Sequence, residues 1–496
     1  MPIPIGENEH KGKIEPDVTI IVQGQHFRLP KKTLMERSEY FRGMFESGMK
    51  ESGQDVIEVQ GISSATFSIL AGFIASSNLA VDGSSLEDVI EGIAFLQMQD
   101  AIPACIDFLR TYLSFDDCLE VIAIAEKHAF GQIVDAVYKF MGNDYLAFSR
   151  TETFQALGDE QKERVRAVRY RGRKHLALTR KEGCIPGSGK NVRDLFCYEE
   201  EAERWKSFTQ LPDDCSKFTI NCSTAVVDNY LYIIGVLKHR IRSHQRPKSR
   251  EGPGCVSRFY YEPINYQYNP LLKKWEKLTP FVCGRKHFSL VAFRGGLFAI
   301  GGITAESTLA DGKFCESVER FDIFPDRWSH CSPVPVQRFE VRVSPSRDNP
   351  PTTSAKDMIF ILLTCHGGLF LKQYCPKNDT WTDVSPGPLP GRVPCIYRMF
   401  SHDDDVFILG GNPTIDRSII VRYDPKDRQW TPLQRPPPLR VEYFNAFGVV
   451  LEGKLYTGSG EKRQMDRYDL GLQQWEGTTP ASMPALGPLE AFTIHL

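Results

Sequence analysis

No apolar run in this 496-residue chain approaches the ~20 residues a membrane-spanning helix needs; Met358–Thr364 is among the longest. The opening stretch, MPIPIGENEHKGKIEP, has no apolar centre, so a secretory leader is not expected and the protein reads as cytoplasmic. Neither sign of charge is in excess: 60 Lys and Arg against 62 Asp and Glu leave −2, which does not favour binding to nucleic acid. Thirteen cysteines include no CxxC pair and eleven histidines no HxxxH pair, so neither a disulfide framework nor a zinc site is indicated. Gly187-Ser-Gly-Lys190 falls short of a phosphate loop, because Cys184 holds the first glycine position and Asn191 the Ser/Thr position. No enzyme and no cofactor is expected. With 41% hydrophobic and 25% charged residues the composition is that of a folded protein, and at roughly 150 residues per domain the length suggests about three domains.

Tryptophan is missing from the first 204 residues, and its placement afterwards is regular. Trp205, Trp275, Trp328, Trp381, Trp430 and Trp475 are each preceded, seven residues earlier, by an aromatic: Tyr198, Tyr268, Phe321, Tyr374, Tyr423 and Tyr468. Between them lie polar segments such as Tyr423-Asp-Pro-Lys-Asp-Arg-Gln-Trp430, where Asx-Pro predicts a turn between two strands. The tryptophans are 70, 53, 53, 49 and 45 residues apart, an internal repeat with insertions. Ahead of the aromatic pairs stand β-rich runs, clearest in Leu297-Phe-Ala-Ile-Gly-Gly302 and Val406-Phe-Ile-Leu-Gly-Gly411, with Met358-Ile-Phe-Ile-Leu-Leu363 lacking both glycines. Strand-rich units of this length stack radially as propeller blades.

The Gly-Gly doublet, the Tyr-Asp-Pro turn and the Trp resemble a kelch β-propeller, over 174–496. Six tryptophans imply six blades, and Ala491–Leu496 suits a strand that closes the first blade together with 175–179 and 195–205. The stretch before it alternates Val18–Val22, a turn at Gln23-Gly24, a strand at His26–Leu29, a helix over Met35–Phe45 and a strand at Val56–Val59. Leu86, Val89, Ile90, Ile93 and Leu96 then mark an amphipathic helix. Helices are also predicted after Pro103, over Cys118–His128 and over Ile133–Met141. Asp17-Val-Thr-Ile-Ile, Ser38-Glu-Tyr-Phe-Arg-Gly-Met-Phe45 and Ala94-Phe-Leu-Gln-Met98 make 1–113 resemble a BTB/POZ domain, and 114–173 resembles a shortened BACK domain. The expected fold class is therefore multidomain: an α/β BTB/POZ domain, a short α-helical BACK segment and an all-β, six-bladed kelch propeller. Pro30 replaces a histidine usual after the second BTB strand.

Chains of this order are similar to substrate adaptors of Cullin-3 ubiquitin ligases. The resemblance implies that the BTB and BACK parts bind Cullin-3 and that the propeller binds a protein substrate, with homodimerisation through the BTB domain. Met49-Lys-Glu51 matches the hydrophobic-x-Glu cullin motif, so Met49 and Glu51 are the expected cullin contacts. Met35, Tyr40 and Phe41 are the candidates for the dimer interface. Arg285, Arg338, Arg392 and Arg440 follow a Trp by ten or eleven residues in successive repeats, and equivalent positions in a ring would form a basic rim for an acidic substrate segment. Outward structural salt bridges are the competing account of these four. Lys238–Arg250 holds six Lys and Arg and no acid, and reads as a basic arm or a solvated loop. The alternative function is a scaffold, cytoskeleton-associated or nuclear as well as cytoplasmic, that dimerises without cullin.

Overall fold

The computed structural model describes residues 17–48, 53–81, 85–180, 193–213, 219–240, 259–282, 284–304, 314–336, 349–365, 368–384, 395–412, 417–434, 446–459, 463–479, 481–483 and 489–496. It divides into two compact units, Met1–Arg169 and Tyr170–Leu496.

In the first unit, β1 (Val18–Val22) and β2 (Gln25–Leu29) form a hairpin through Gln23 and Gly24. Both turn residues have positive φ, 48° and 78°, the geometry whose twist matches the flanking strands. β3 (Val56–Glu58) pairs with β1 in parallel, Ile57 opposite Ile20. Val18, Ile20 and Val22 alternate into the core, as a period of two demands. The single helix expected over Met35–Phe45 is instead two, α1 (Lys31–Arg37) and α2 (Glu39–Glu46). Ser38 breaks them: its backbone is extended at φ −140°, and its hydroxyl accepts from the Phe41 N–H at 3.2 Å and donates to the Leu96 carbonyl at 2.6 Å. Ser38 is thus an N-cap tied to a distant helix end, a role that wins over helix propagation. Pro30, at the cap of α1, carries no acceptor; the Asp17 carboxylate takes its place and accepts from the Lys31 N–H.

α3 (Ser64–Ser76) and α4 (Leu86–Phe95) cross closely at Gly92, where a Cβ would come within 2.8 Å of Thr66. The whole stripe Leu86, Val89, Ile90, Ile93, Leu96 is buried. Pro103 sits in the first turn of α5 (Ile102–Tyr112), where its missing N–H costs nothing. Five helices follow: α6 (Cys118–Lys127), α7 (Gly131–Asn143), α8 (Tyr145–Phe148), α9 (Glu152–Ala156) and α10 (Asp159–Arg169). Among the described residues no helix is long and apolar enough to cross a membrane.

The second unit contains six four-stranded antiparallel sheets. Their innermost strands are Leu489–His495, Thr219–Val227, Ser289–Phe293, Thr352–Ala355, Cys395–His402 and Ala446–Leu451, and the sheets are numbered blades 1 to 6 in that order. Each innermost strand touches that of the next blade, and Leu489–His495 touches both Ala446–Leu451 and Thr219–Val227, so the six close into a ring. Blade 1 combines that carboxy-terminal strand with Lys174–Arg180, Asp194–Glu199 and Arg204–Gln210. Apolar clusters fill the spaces between blades; Leu231, Ile233 and Tyr266 of blade 2, for example, meet Leu195 and Phe492 of blade 1. The fold class is therefore that expected: an α/β amino-terminal domain, a helical segment and an all-β ring of six blades.

The seven-residue offset now has a cause. In all six blades the aromatic lies directly opposite the Trp across the outer hairpin, from Tyr198↔Trp205 to Tyr468↔Trp475. In five blades their ring centroids are 4.8–5.2 Å apart. Each hairpin turns in four residues and ends on one with positive φ, two before the Trp: Glu203, Lys273, Asp326, Asp379, Arg428 and Gln473, at φ 45–60°. The Asx residues that open three turns hold them by accepting backbone N–H groups: Asn269 from Leu271, Asp424 from Lys426, Asp469 from Leu472. Gly301 and Gly302 also have positive φ, and a Cβ on Gly302 would lie 2.7 Å from the Lys286 carbonyl. Blade 4 needs no such pair, since its second strand runs on to Cys365 and returns at Gly368 after only two residues.

Candidate functional site

The two units carry separate candidate surfaces. In the first, Met35 and Tyr40 are half-buried on α1 and α2, Tyr40 lying against Phe41 and Phe95 at 5.3 and 5.2 Å. Phe41 is completely buried, packed against Phe45 and Phe67 of its own protomer, and so has no surface to offer a second copy. Met49 and Glu51, the expected cullin contacts, lie outside the described residues. Two buried thiols sit on the helices nearby: burial pushes Cys105 up to about 12, and burial with the neighbouring Asp117 and Asp116 does the same for Cys118.

In the second unit the innermost strands line a channel along the ring axis. Toward the end from which those strands start, a cavity of about 170 Å³ is bounded by Ser289, Asn349, Pro350, Thr352, Arg398 and Glu490 among others. A wider recess of about 490 Å³ lies at the opposite end, among the turns that carry Lys356, Asp403, Asp404 and Glu452, with Lys174 and His402 beside them. His402 lies 3.3 Å from Asp403. Its charges are mixed, which suits a solvated rim rather than an ion site. Among the described residues no group of three His, Cys, Asp or Glu could hold a metal ion.

The basic rim is not what the structure shows at Arg285. That side chain has no exposed surface; it forms a wholly buried ion pair with Glu319. It also donates to the Ser317 carbonyl at 2.7 Å and to the Ser317 hydroxyl at 3.0 Å. Glu319 completes the network by accepting from the Val282 N–H at 2.9 Å. Arg285 thus fixes the entry of the chain into blade 3 and is unavailable to a substrate. Arg338, Arg392 and Arg440 lie outside the described residues, as does most of the basic insertion 238–250. Spacing from the Trp gives a position in the repeat but not the direction of the side chain, and nothing in the sequence coupled Arg285 to Glu319.

The channel residues were not singled out by sequence reasoning. Asn349-Pro-Pro-Thr352 reads only as a turn, and its importance appears once the ring places it at the entry to blade 4, on the axis.

Residues 7–113 match the family model for the BTB/POZ domain. The human Kelch repeat and BTB domain-containing protein 2 is 23% identical, over 92% of this chain and 85% of its own length. Kelch-like protein 15 of Danio rerio is 21% identical, over 97% of this chain and 93% of its own. Kelch-like protein 42 of Mus musculus is 26% identical over 57% of this chain and 59% of its own. With a BTB/POZ domain at its amino end, helices behind it and a closed ring of aromatic-paired blades after that, this chain is similar over most of its length to Kelch-like and Kelch repeat and BTB domain-containing proteins.

Proposed function

We propose that the chain is a non-catalytic substrate adaptor: the first unit recruits Cullin-3, and the propeller holds a protein substrate for ubiquitination. Adaptors of this kind are the general pattern among BTB–kelch proteins. The observation that supports the reading is the presence on one chain of two separately cored units, a BTB/POZ fold and a six-bladed ring with a polar axial cavity. Catalysis by proximity requires no nucleophile or base in the adaptor itself, only two binding faces on one chain.

In this reading Met49 and Glu51 supply an apolar anchor beside a carboxylate that fixes its orientation. Homodimerisation uses Met35 and Tyr40, with Phe41 supporting them from the core. Two propellers on one dimer raise the effective concentration of the second binding event once the first has occurred. Pro30 does not argue against this plan, since Asp17 caps α1 in the absence of a side-chain acceptor there.

Isothermal titration of the intact chain with the amino-terminal domain of Cullin-3 tests the proposal. Binding that is lost in a Met49→Ala/Glu51→Ala double variant supports it. A folded, dimeric chain that gives no heat would leave the scaffold function in its place.

A further inference from the structure

The longest strands of the ring belong to blade 2. Tyr230–Arg240 and Phe259–Asn269 run eleven residues each, and among the described residues no other strand of the second unit exceeds nine. Pleating sends alternate residues of such a pair to opposite sides. On one side Leu231, Ile233 and Leu237 pack against blade 1. On the other, Tyr232, Ile234 and Val236 are buried, and the next residue of that series is Lys238, directly opposite Tyr261. Glu262 lies opposite Leu237, on the other side of the ladder. Among the described residues the innermost strand pairs no further than Thr219↔Lys238, while the longer pair continues to Arg240↔Phe259. The ribbon thus extends beyond its neighbours where its sequence turns from apolar to basic. Facing it, Lys286 comes from the short strand Arg285–Lys286 that leads into blade 3. Arg285 is locked by its buried pair with Glu319, and the residue after it on the strand is turned the other way. The Lys286 ammonium lies 4.8 Å from the centre of the Tyr261 ring and 3.4 Å from its hydroxyl. An ammonium only donates, so the Tyr261 oxygen accepts, and its own proton meets no acceptor among the described residues. Lys238, Tyr261 and Lys286 are all half-buried.

One lysine across the ladder from Tyr261 and another over its ring offer positive charge beside a phenolic O–H, and a carboxylate answers both. We propose that this cleft between blades 2 and 3 is a subsite for an Asp or Glu side chain in an acidic segment of the bound partner. Charge complementarity extends past the three residues: Lys238–Arg250 holds six Lys and Arg and no acid, on a chain whose net charge is −2. That overall charge does not favour nucleic acid, the other polyanion a basic ribbon attracts. Arg285 serves the cleft by position only: it is buried, and the residue after it presents the charge. This rests on the reading of the propeller as the partner-binding half.

The test uses the intact chain and fluorescein-labelled peptides of one Gly/Ser host, with three Glu, three Gln or three Lys at the centre, followed by anisotropy. A labelled single-stranded oligonucleotide of mixed sequence is the fourth probe. The Glu peptide is expected to bind at least tenfold tighter than the other three probes, and less tightly as salt is raised. Lys238→Gln/Lys286→Gln should remove that preference. Tyr261→Phe, which keeps the ring and deletes the O–H, should weaken the Glu peptide severalfold. Lys274→Gln/Lys277→Gln, on the outer strand of the same blade, removes the same charge elsewhere and should leave the preference intact. Tryptophan fluorescence checks that every variant is folded. Equal binding of the Glu and Gln peptides, preference for Lys or for the oligonucleotide, or equal losses in the two lysine pairs would overturn the subsite. Cullin-3 titration on the same preparation reads the first unit separately, so failure of the adaptor reading and failure of the subsite are distinguishable.

Discussion

Arg285 and Glu319 illustrate how much a single residue's surroundings decide. Both side chains are wholly buried, so removing one strands the charge of the other, at a cost of about 3–5 kcal/mol. Arg285→Ala should therefore lower the urea midpoint of the propeller substantially, and any loss of partner binding should follow from unfolding. All six tryptophans lie in the second unit, so their fluorescence reports that unit alone. An unchanged midpoint would contradict the buried pair. The thiols make a second case. With both pushed up to about 12 by burial, Cys105 and Cys118 remain protonated and inaccessible. Iodoacetamide at pH 8 should leave both unmodified in the folded chain and alkylate them after denaturation, as peptide mass spectrometry would show.

Between elements, the junctions of blades 2 and 3 and of blades 3 and 4 are held by a clasp that the repeat's sequence conceals. Trp328 donates to the Thr279 carbonyl at 3.0 Å and Trp381 to the Ser332 carbonyl at 2.9 Å, each reaching the outer edge of the preceding blade. In these two blades the positive-φ residue two before the Trp adds a second bond. Asp326 accepts from the Thr279 N–H at 3.1 Å and Asp379 from the Ser332 N–H at 2.8 Å. At the junction of blades 5 and 6 the acceptor is the neutral amide of Gln473, and the bond from the Gln434 N–H lengthens to 3.4 Å. At the junction of blades 4 and 5 the matching residue is Arg428, whose guanidinium has no acceptor to offer. Asp326→Ala and Asp379→Ala should each cost about 1.5–3 kcal/mol, the range for hydrogen bonds to charged groups, while Arg428→Ala should stay within about 0.5 kcal/mol. Similar urea midpoints for all three would remove the clasp. Asp379 also gives the clasp a pH dependence. Burial opposes its ionisation, but donation from Tyr374 and Ser332 outweighs this and holds the carboxyl below its ordinary value. A depressed folded-state value means stability that is present above the ordinary carboxylate range and lost as pH falls through the lowered value. The acid-side drop in propeller stability should therefore shrink in Asp379→Asn.

These elements also show where the sequence was legible. The Tyr–Trp offset announced the blades because it repeats in side-chain identity, and the stripe from Leu86 to Leu96 announced α4 because burial follows helical period. The residue two before each Trp escaped notice: Glu, Lys, Asp, Asp, Arg and Gln share a backbone conformation and no chemistry. Ser38 was read as helix interior because its second partner, the Leu96 carbonyl, is 58 residues away. The Arg285–Glu319 pair belongs to the same class, a contact between residues 34 positions apart that exists only once the strands of blade 3 have paired.

At the scale of the whole molecule, the proposed adaptor function requires two binding faces on one chain, the BTB/POZ unit toward Cullin-3 and the propeller toward a protein substrate. Calorimetry of the intact protein against the Cullin-3 amino-terminal domain, beside the Met49→Ala/Glu51→Ala variant, addresses that claim most directly. The account predicts saturable binding by the parent chain, weakened at least tenfold in the variant while the tryptophan-reported stability of the propeller is unchanged. Absence of binding by a folded dimer, or equal binding by parent and variant, would contradict it.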